Sequence, residues 1–465
     1  MPICRVRQLL LLPLCLVGIV ILIHLEYIPP SRLGSNALIG EGSDLSFQGE
    51  SLHSDSSTKD ALSPEPPGEL PTRFRESLSN DSSYITTWSG AGFTNQLMNY
   101  ANMIYLGKLT DRIPIVPPFA PTAHVAQDSG IIPFGDIFDL EYLQKELKMK
   151  VLDWKSIKRL QPRDTPSPYN PEQIEQLGCW TTTRASHTDA VRSTNLVGHL
   201  GLDVSYTRVP PETRFPSSSP DELHVMFPQL AALIYPRDPL FRTEKMTVMA
   251  PSPTGHRLTP DTQLACFDSL YYVTSGVREF EWQRSWSPAW REVGRHLTFT
   301  REMQALARSY MTRAFGLPAG TEHIPPFIAL HIRHGDFSGQ CSKSGDDAKC
   351  FPPLSVYARH VDDIKSELAA RLDMNISIVI VMSDDETPEF WDDVQAQGWL
   401  LINHTAEATV ERFGNWYPPL IDAIVHSYAI GFVGTKGSTF SLVGERRVHD
   451  WNGGATREVS IRDNR

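Results

Sequence analysis

The sequence has no excess of positive charge. Lys and Arg number 43 against 54 Asp and Glu, a formal net charge of −11. That leaves no electrostatic reason to expect nucleic acid, since domains that bind its backbone are usually basic. Cysteine is scarce, six in 465 residues, and lacks the C-x-x-C spacing or nearby histidines of a zinc site. No internal repeat is present. The stretch "SGAGFTNQL" (89–97) opens like a dinucleotide fingerprint but lacks its third glycine, Asn95 standing in that place. The strand that should follow, "IPIV" (113–116), ends in prolines rather than in the acid that holds a ribose. An oxidoreductase reading therefore loses its second support.

What is present begins with an apolar, uncharged run from Leu9 to Ile23, preceded by Arg5 and Arg7. Extended by "HLEYI", it approaches the roughly 20 residues that span a bilayer. Arginines before the run place the N-terminus in the cytosol and the remainder in the lumen. No small-x-small cleavage site follows, so the run reads as an uncleaved anchor. The expectation is a cytosolic tail at 1–8, a transmembrane anchor at 9–28, and a flexible stem at 29–80 rich in Ser, Gly, Pro and acids. Asn80, Asn375 and Asn403 head glycosylation triplets. Past the anchor remain Cys179, Cys266, Cys341 and Cys350. They can pair in three ways, and the expected pairs are Cys341–Cys350 and Cys179–Cys266.

From Ser83 the chain reads β-α-β: "SYITTW" as a strand, the glycine loop, an apolar helix, then "IPIV". From about 120 to 300 no trustworthy period emerges. Periodicity returns with strands "FIALHIR" (327–333), "ISIVIVM" (376–382), "WLLIN" (399–403) and "GFVG" (431–434). They alternate with helical patterns at 354–372, 387–398, 419–430 and 438–448. Strands alternating with helices predict an α/β fold with parallel sheets, whose ligands bind at the carboxyl ends of the strands.

Three polar clusters fall at such ends. In "HIRHGD", His331 and Arg333 alternate along a strand end, and Asp336 lies in the next turn. A guanidinium there matches a phosphate bidentately; the plainer alternative is a salt bridge from Arg333 to Asp336. In "GTKGSTF", Ser438 and Thr439 open a helix, where backbone N–H groups and hydroxyls hold an anion or simply cap it, and Phe440 stacks on a base or joins the core. The acids of "SDDE" (383–386) read as a solvated turn rather than a metal site, with Asp384 still able to hydrogen-bond a nucleotide. Gly90, Gly92 and Phe93 are expected against the substrate, because glycines admit close backbone approach. Asn95 and Gln96 offer amides.

In combination these segments resemble GDP-fucose protein O-fucosyltransferases: the glycine loop ending in Asn-Gln before "IPIVPPF", the H-x-R of "HIRHGDF", and "FVGTKGSTFS" followed by "ERR". The resemblance covers these short segments within about 85–450 and not the middle, stem or anchor. It implies a GT-B fold, two Rossmann-like domains facing a cleft, with 81–315 on the acceptor side and 316–465 holding the GDP-sugar. It implies that Arg333 contacts the β-phosphate and that His331 lies beside the nucleotide. Ser438, Thr439 and Phe440 would hold phosphate and base, Asp422 would read guanine, and Asn95 would lie near the reacting centre. The implied chemistry is inverting transfer of fucose from GDP-fucose to a hydroxyl of a protein or glycan. It uses no metal and no cofactor besides the donor, in the Golgi or endoplasmic reticulum. One departure stands out: some members carry a glutamate in the glycine loop as base, and here Ala91 lies between the glycines. A transferase using another nucleotide sugar, or a nucleotide-sugar- or glycan-binding protein without turnover, remains an alternative reading.

Overall fold

A computed structural model describes residues 71–88, 90–122, 124–160, 174–184, 194–216, 224–237, 246–284, 287–321, 323–341, 351–460 and 463. The expected anchor, most of the stem and the Cys341–Cys350 pair lie outside the described residues. Among the described residues, no helix is long and apolar enough to cross a membrane.

In the first half the strands are β1 (Tyr84–Thr87), β2 (Ile113–Val116), β3 (Leu152–Asp153), β4 (Glu175–Thr181), β5 (Leu202–Arg208), β6 (Val225–Met226), β7 (Leu264–Phe267) and β8 (Val273–Thr274). Six of them form a sheet in the order β3-β2-β1-β7-β4-β5, and β6 pairs with β8 in a small ribbon. The second half holds β9 (Phe327–Ile332), β10 (Ile378–Ser383), β11 (Leu400–Leu401), β12 (Gly431–Thr435) and β13 (Ala455–Val459), ordered β11-β10-β9-β12-β13. Among the described residues, every pairing between these strands is parallel. Parallel strands are covered on both faces by their crossover helices, and all six residues of β9 are buried accordingly.

The aperiodic middle contains most of the first sheet. β5 hides its pattern because alternate positions carry buried polar side chains: Asp203 accepts from the Ser252 hydroxyl at 2.6 Å, and Ser205 donates to the Leu258 carbonyl at 2.8 Å. These polar residues face a covering loop, not water. That loop presses on β4 so closely that a Cβ at Gly178 would lie 1.9 Å from the Thr259 carbonyl oxygen. The expected disulfide Cys179–Cys266 is present, tying β4 to neighbouring β7.

The stem ends earlier than expected. Within 71–80, Phe74 and Leu78 are buried, and Phe74 packs edge-on against Trp154 at 5.6 Å. The backbone N–H of Phe74 donates to Glu175 at 2.8 Å, a carboxylate that also pairs with buried Lys158 at 2.8 Å.

One core cluster runs through both halves, from Ile85, Tyr100 and Phe119 to Phe327, Ile424 and Val443. The helix Thr439–Asn452 carries the joint. Its Arg446 donates to the carbonyls of Glu281, Trp282 and Arg284 at 3.2, 3.3 and 2.6 Å. Arg447 is buried over Phe299 at 4.4 Å and Trp451 at 5.1 Å. Burial pulls Arg446 down to about 10 and Arg447 to about 9. The "ERR" segment therefore fastens the halves together.

Candidate active site

Strand order in the second sheet reverses beside β9, between β10 and β12. Open parallel sheets bind ligands at such a reversal, beyond the carboxyl ends of the strands. β9 delivers Arg333 there, β10 delivers Asp384, and β12 turns into the helix capped by Ser438. The first sheet meets this edge with its own strand ends. Thr94, in the first turn of the helix Phe93–Leu109, shares a 2.9 Å hydrogen bond with Thr439, first residue of the helix Thr439–Asn452. Two helix N-termini thus converge, each with unpaired N–H groups and a partial positive charge.

Arg333 is the most heavily engaged side chain at this edge. Its Nη1 lies 2.7 Å from Asp384 Oδ2, and its Nη2 lies 2.7 Å from Asp336 Oδ1, with Nε at 3.0 Å. From the other half, His124 accepts a hydrogen bond from Nη2 at 2.9 Å. The Arg333 side chain is 13% exposed, whereas that of Asp336 is 60% exposed. The salt bridge to Asp336 is therefore formed, and it is one of three contacts that hold the guanidinium still. The Arg333 backbone N–H is itself fixed by Thr435 Oγ1 at 2.9 Å.

The acidic turn "SDDE" is occupied by protein partners. Asp384 accepts from the His334 backbone N–H at 2.8 Å besides pairing with Arg333. Asp385 accepts from the Thr387 hydroxyl at 2.5 Å and backbone N–H at 2.8 Å and meets the His334 ring at 2.6 Å, and these hydrogen bonds hold its carboxyl below the usual range against burial. Among the described residues no group of three or more His, Cys, Asp and Glu gathers to hold a metal ion.

His331 does not share an open face with Arg333. It is 5% exposed, and its Nδ1 lies 2.7 Å from Ser441 Oγ. That hydroxyl also accepts from the Thr435 N–H at 2.9 Å, which fixes it beside the ring. Burial, then Arg333, lowers His331 to about 3. Phe440 packs on His331 at 4.9 Å and on buried His426 at 5.3 Å. His331 is thus buried behind the site, and half-buried Phe440 packs over it against the core.

The glycine loop is built differently from the expectation. Gly92 caps the helix with an ordinary φ of −54°, so its backbone needs no glycine. A Cβ there would meet only His124 Cδ2, at 3.4 Å. Phe93 belongs to the core, 4.9 Å from the Phe119 ring. Gln96 is wholly buried; its amide donates to the carbonyls of Ala91 and Ala120 at 2.7 and 2.8 Å and accepts from the Ala120 N–H at 3.0 Å. It thereby locks the glycine loop to the loop after β2. Asn95 differs: its Oδ1 is buried with no hydrogen-bond partner among the described residues. A buried, unsatisfied carbonyl oxygen in the first turn of a helix at this edge calls for an explanation, and a donor from outside the chain would supply one. Gly90 is exposed in the same loop.

Ser438 accepts from the Ser441 N–H at 3.3 Å, an N-cap. Asp422 lies in the helix Tyr417–Tyr428, where it accepts from His404 at 3.0 Å and, despite burial, raises that histidine. No contact joins it to the Arg333 cluster among the described residues. Sequence reasoning missed His124, which lies in the proline-rich loop after β2. The available signal was position alone: a loop leaving a parallel strand at its carboxyl end.

The model of a family described as GDP-fucose protein O-fucosyltransferase matches residues 84–449. Among solved structures, apo POFUT1 is 14% identical over 82% of this chain and 99% of that chain, with a TM-score of 0.48. POFUT1 in complex with GDP-fucose is 14% identical over 83% of this chain and 99% of its own, also at 0.48. Fucosyltransferase NodZ from Bradyrhizobium is 14% identical over 78% and 92%, at 0.37. No curated protein matches the chain. The family match runs from β1 into the helix that fastens the two halves, and the chain belongs to the GDP-fucose protein O-fucosyltransferase family, glycosyltransferases that take fucose from GDP-fucose.

Proposed function

We propose that this edge transfers fucose to a hydroxyl of a protein or glycan acceptor, with inversion, and that Arg333 bears the charge released. Breaking the bond between sugar and GDP leaves negative charge on the β-phosphate while the sugar becomes cationic. A donor fixed at that oxygen is worth about 3 kcal/mol or more in the transition state. Arg333 meets this need because it is already immobilised by Asp384, Asp336 and His124, and it supplies the positive charge that a metal supplies elsewhere. This held guanidinium is the observation that carries the reading. The two converging helix N-termini, with Thr94, Ser438 and Thr439, suit the diphosphate. The unsatisfied Oδ1 of Asn95 suits a sugar hydroxyl that donates to it.

Exposed Asp336 is the partner the phosphate displaces. Asp422, in the second turn of its helix, is proposed to accept from guanine. Calorimetric titration of GDP, with UDP as control and EDTA present, tests both roles. Arg333→Ala is expected to lose GDP affinity, and Asp422→Asn to lose the preference for GDP over UDP. Equal binding of both nucleotides by the unaltered protein would defeat the assignment.

The proposed setting is the lumen of the Golgi or endoplasmic reticulum, behind an N-terminal anchor. The Cys179–Cys266 bond suits an oxidising compartment. Asn80, Asn375 and Asn403 are all exposed, as glycan acceptors must be. Glycosidase treatment of the secretory protein should reduce its mass; an unchanged mass would count against a lumenal fold.

A further inference from the structure

The acceptor hydroxyl must lose a proton as its oxygen bonds to the sugar, and the glycine loop offers no carboxylate to take it, because Ala91 separates the glycines. His124 lies against that loop. Its Cδ2 is 3.4 Å from where a Cβ on Gly92 would be, and the ring is 46% exposed. The loop is braced to the same place, Thr122 Oγ1 donating to the Ala91 carbonyl at 2.5 Å and Gln96 clamping Ala91 to Ala120. The imidazole thus keeps a fixed position relative to the acceptor side of the edge.

On its other flank Nε2 lies 2.9 Å from Arg333 Nη2. A guanidinium has only donors, so the contact requires an unprotonated nitrogen whose lone pair points at Arg333. Once the β-phosphate claims the guanidinium, that lone pair is released for another donor. We propose, on the basis of the fucosyl-transfer reading, that His124 is the general base. Its Nε2 accepts the acceptor's proton as the hydroxyl oxygen bonds to C1 of fucose. The C1–O bond to the β-phosphate breaks and its electron pair departs with GDP; the imidazolium then returns the proton to solvent.

The charged groups facing the ring are Arg333, Asp336 and Asp384, all from the second half. Burial and then Arg333 lower His124, outweighing the two carboxylates, so the base form prevails near neutral pH. A general base of this kind contributes about 100-fold or more to the rate.

The test uses the full-length chain with GDP-fucose and water as acceptor, so the natural acceptor is not needed. GDP release is followed from about pH 5 to 9, the span in which a histidine titrates, and donor affinity is measured calorimetrically. His124→Gln, whose amide oxygen can still accept from Arg333, should release GDP about 100-fold more slowly at saturating GDP-fucose and lose the acid limb of the profile. Added imidazole should restore part of the rate to His124→Ala. An unchanged rate and acid limb in His124→Gln would overturn the proposal. So would a rate loss that merely follows weakened donor binding without rescue, since His124 would then only position Arg333. Donor binding without GDP release by the unaltered protein would instead refute the transfer reading, and the proposal with it.

Discussion

Arg333 and His331 lie two residues apart and do opposite things. The first stays charged at the rim, held by two carboxylates and an imidazole; the second is sealed in as a neutral ring. Burial of His331 has a thermodynamic consequence. Its folded-state value of about 3 lies below the ordinary 6.5, so between these values the unfolded chain binds the proton and the folded protein does not. Stability then rises with pH across that window and falls on acidification below 6.5. His426, fully buried beside it and lowered in the same direction, adds to the slope. Urea midpoints measured from pH 7 down to 4 should therefore fall, and less steeply in His331→Asn; parallel slopes would mean that the ring is already protonated when folded. The sequence made Arg333, Ser438 and Asn95 legible because strand ends and helix starts have positional meaning. It could not show that Phe93 packs inward, because an aromatic after a glycine loop reads the same whether it joins the core or lines a ligand. It could not foresee His124, whose role depends on a contact between residues 209 apart in sequence.

Among the elements, the turn from β9 is built around a glycine with no spare room. A Cβ at Gly335 would lie 2.0 Å from Asp384 Oδ2, so Gly335→Ala must push Asp384 off Arg333. Weaker GDP binding and a lower melting temperature are the expected outcome. Unchanged GDP affinity would show that Asp384 is not needed to hold the guanidinium. The second sheet was readable through β12 because its strands are uninterrupted apolar runs at α/β spacing. Its last strand, Ala455–Val459, escaped because only its two ends are buried, leaving no apolar run. The first sheet escaped beyond β2 for a related reason. Its later strands bury threonines, an aspartate and a serine against loops, and hydropathy reads those residues as surface.

At the scale of the molecule, two sheets share a core, and the first is laced by the Cys179–Cys266 bond across a sequence separation of 87. Loops of that length yield about 4–5 kcal/mol in the chain-entropy account of disulfides. Replacing both cysteines by alanine should lower the unfolding free energy by a few kcal/mol, about 2–5 for a native disulfide. Denaturant curves with and without reductant check this, and coincident curves would show the bond to be energetically idle. The reach of one half into the other, through Thr94–Thr439 and His124–Arg333, assembles the site only when both sheets are in place.

The central claim is that a held arginine, Arg333, carries the departing charge of GDP. It is tested most directly by following GDP release from GDP-fucose in the unaltered protein, Arg333→Lys and Arg333→Ala, with thermal melts to show that each is folded. The account predicts turnover in the first and a loss of about 100-fold or more in the last. Lysine should be intermediate or worse, because a point charge cannot replace the planar fork. Turnover surviving intact in folded Arg333→Ala would contradict it.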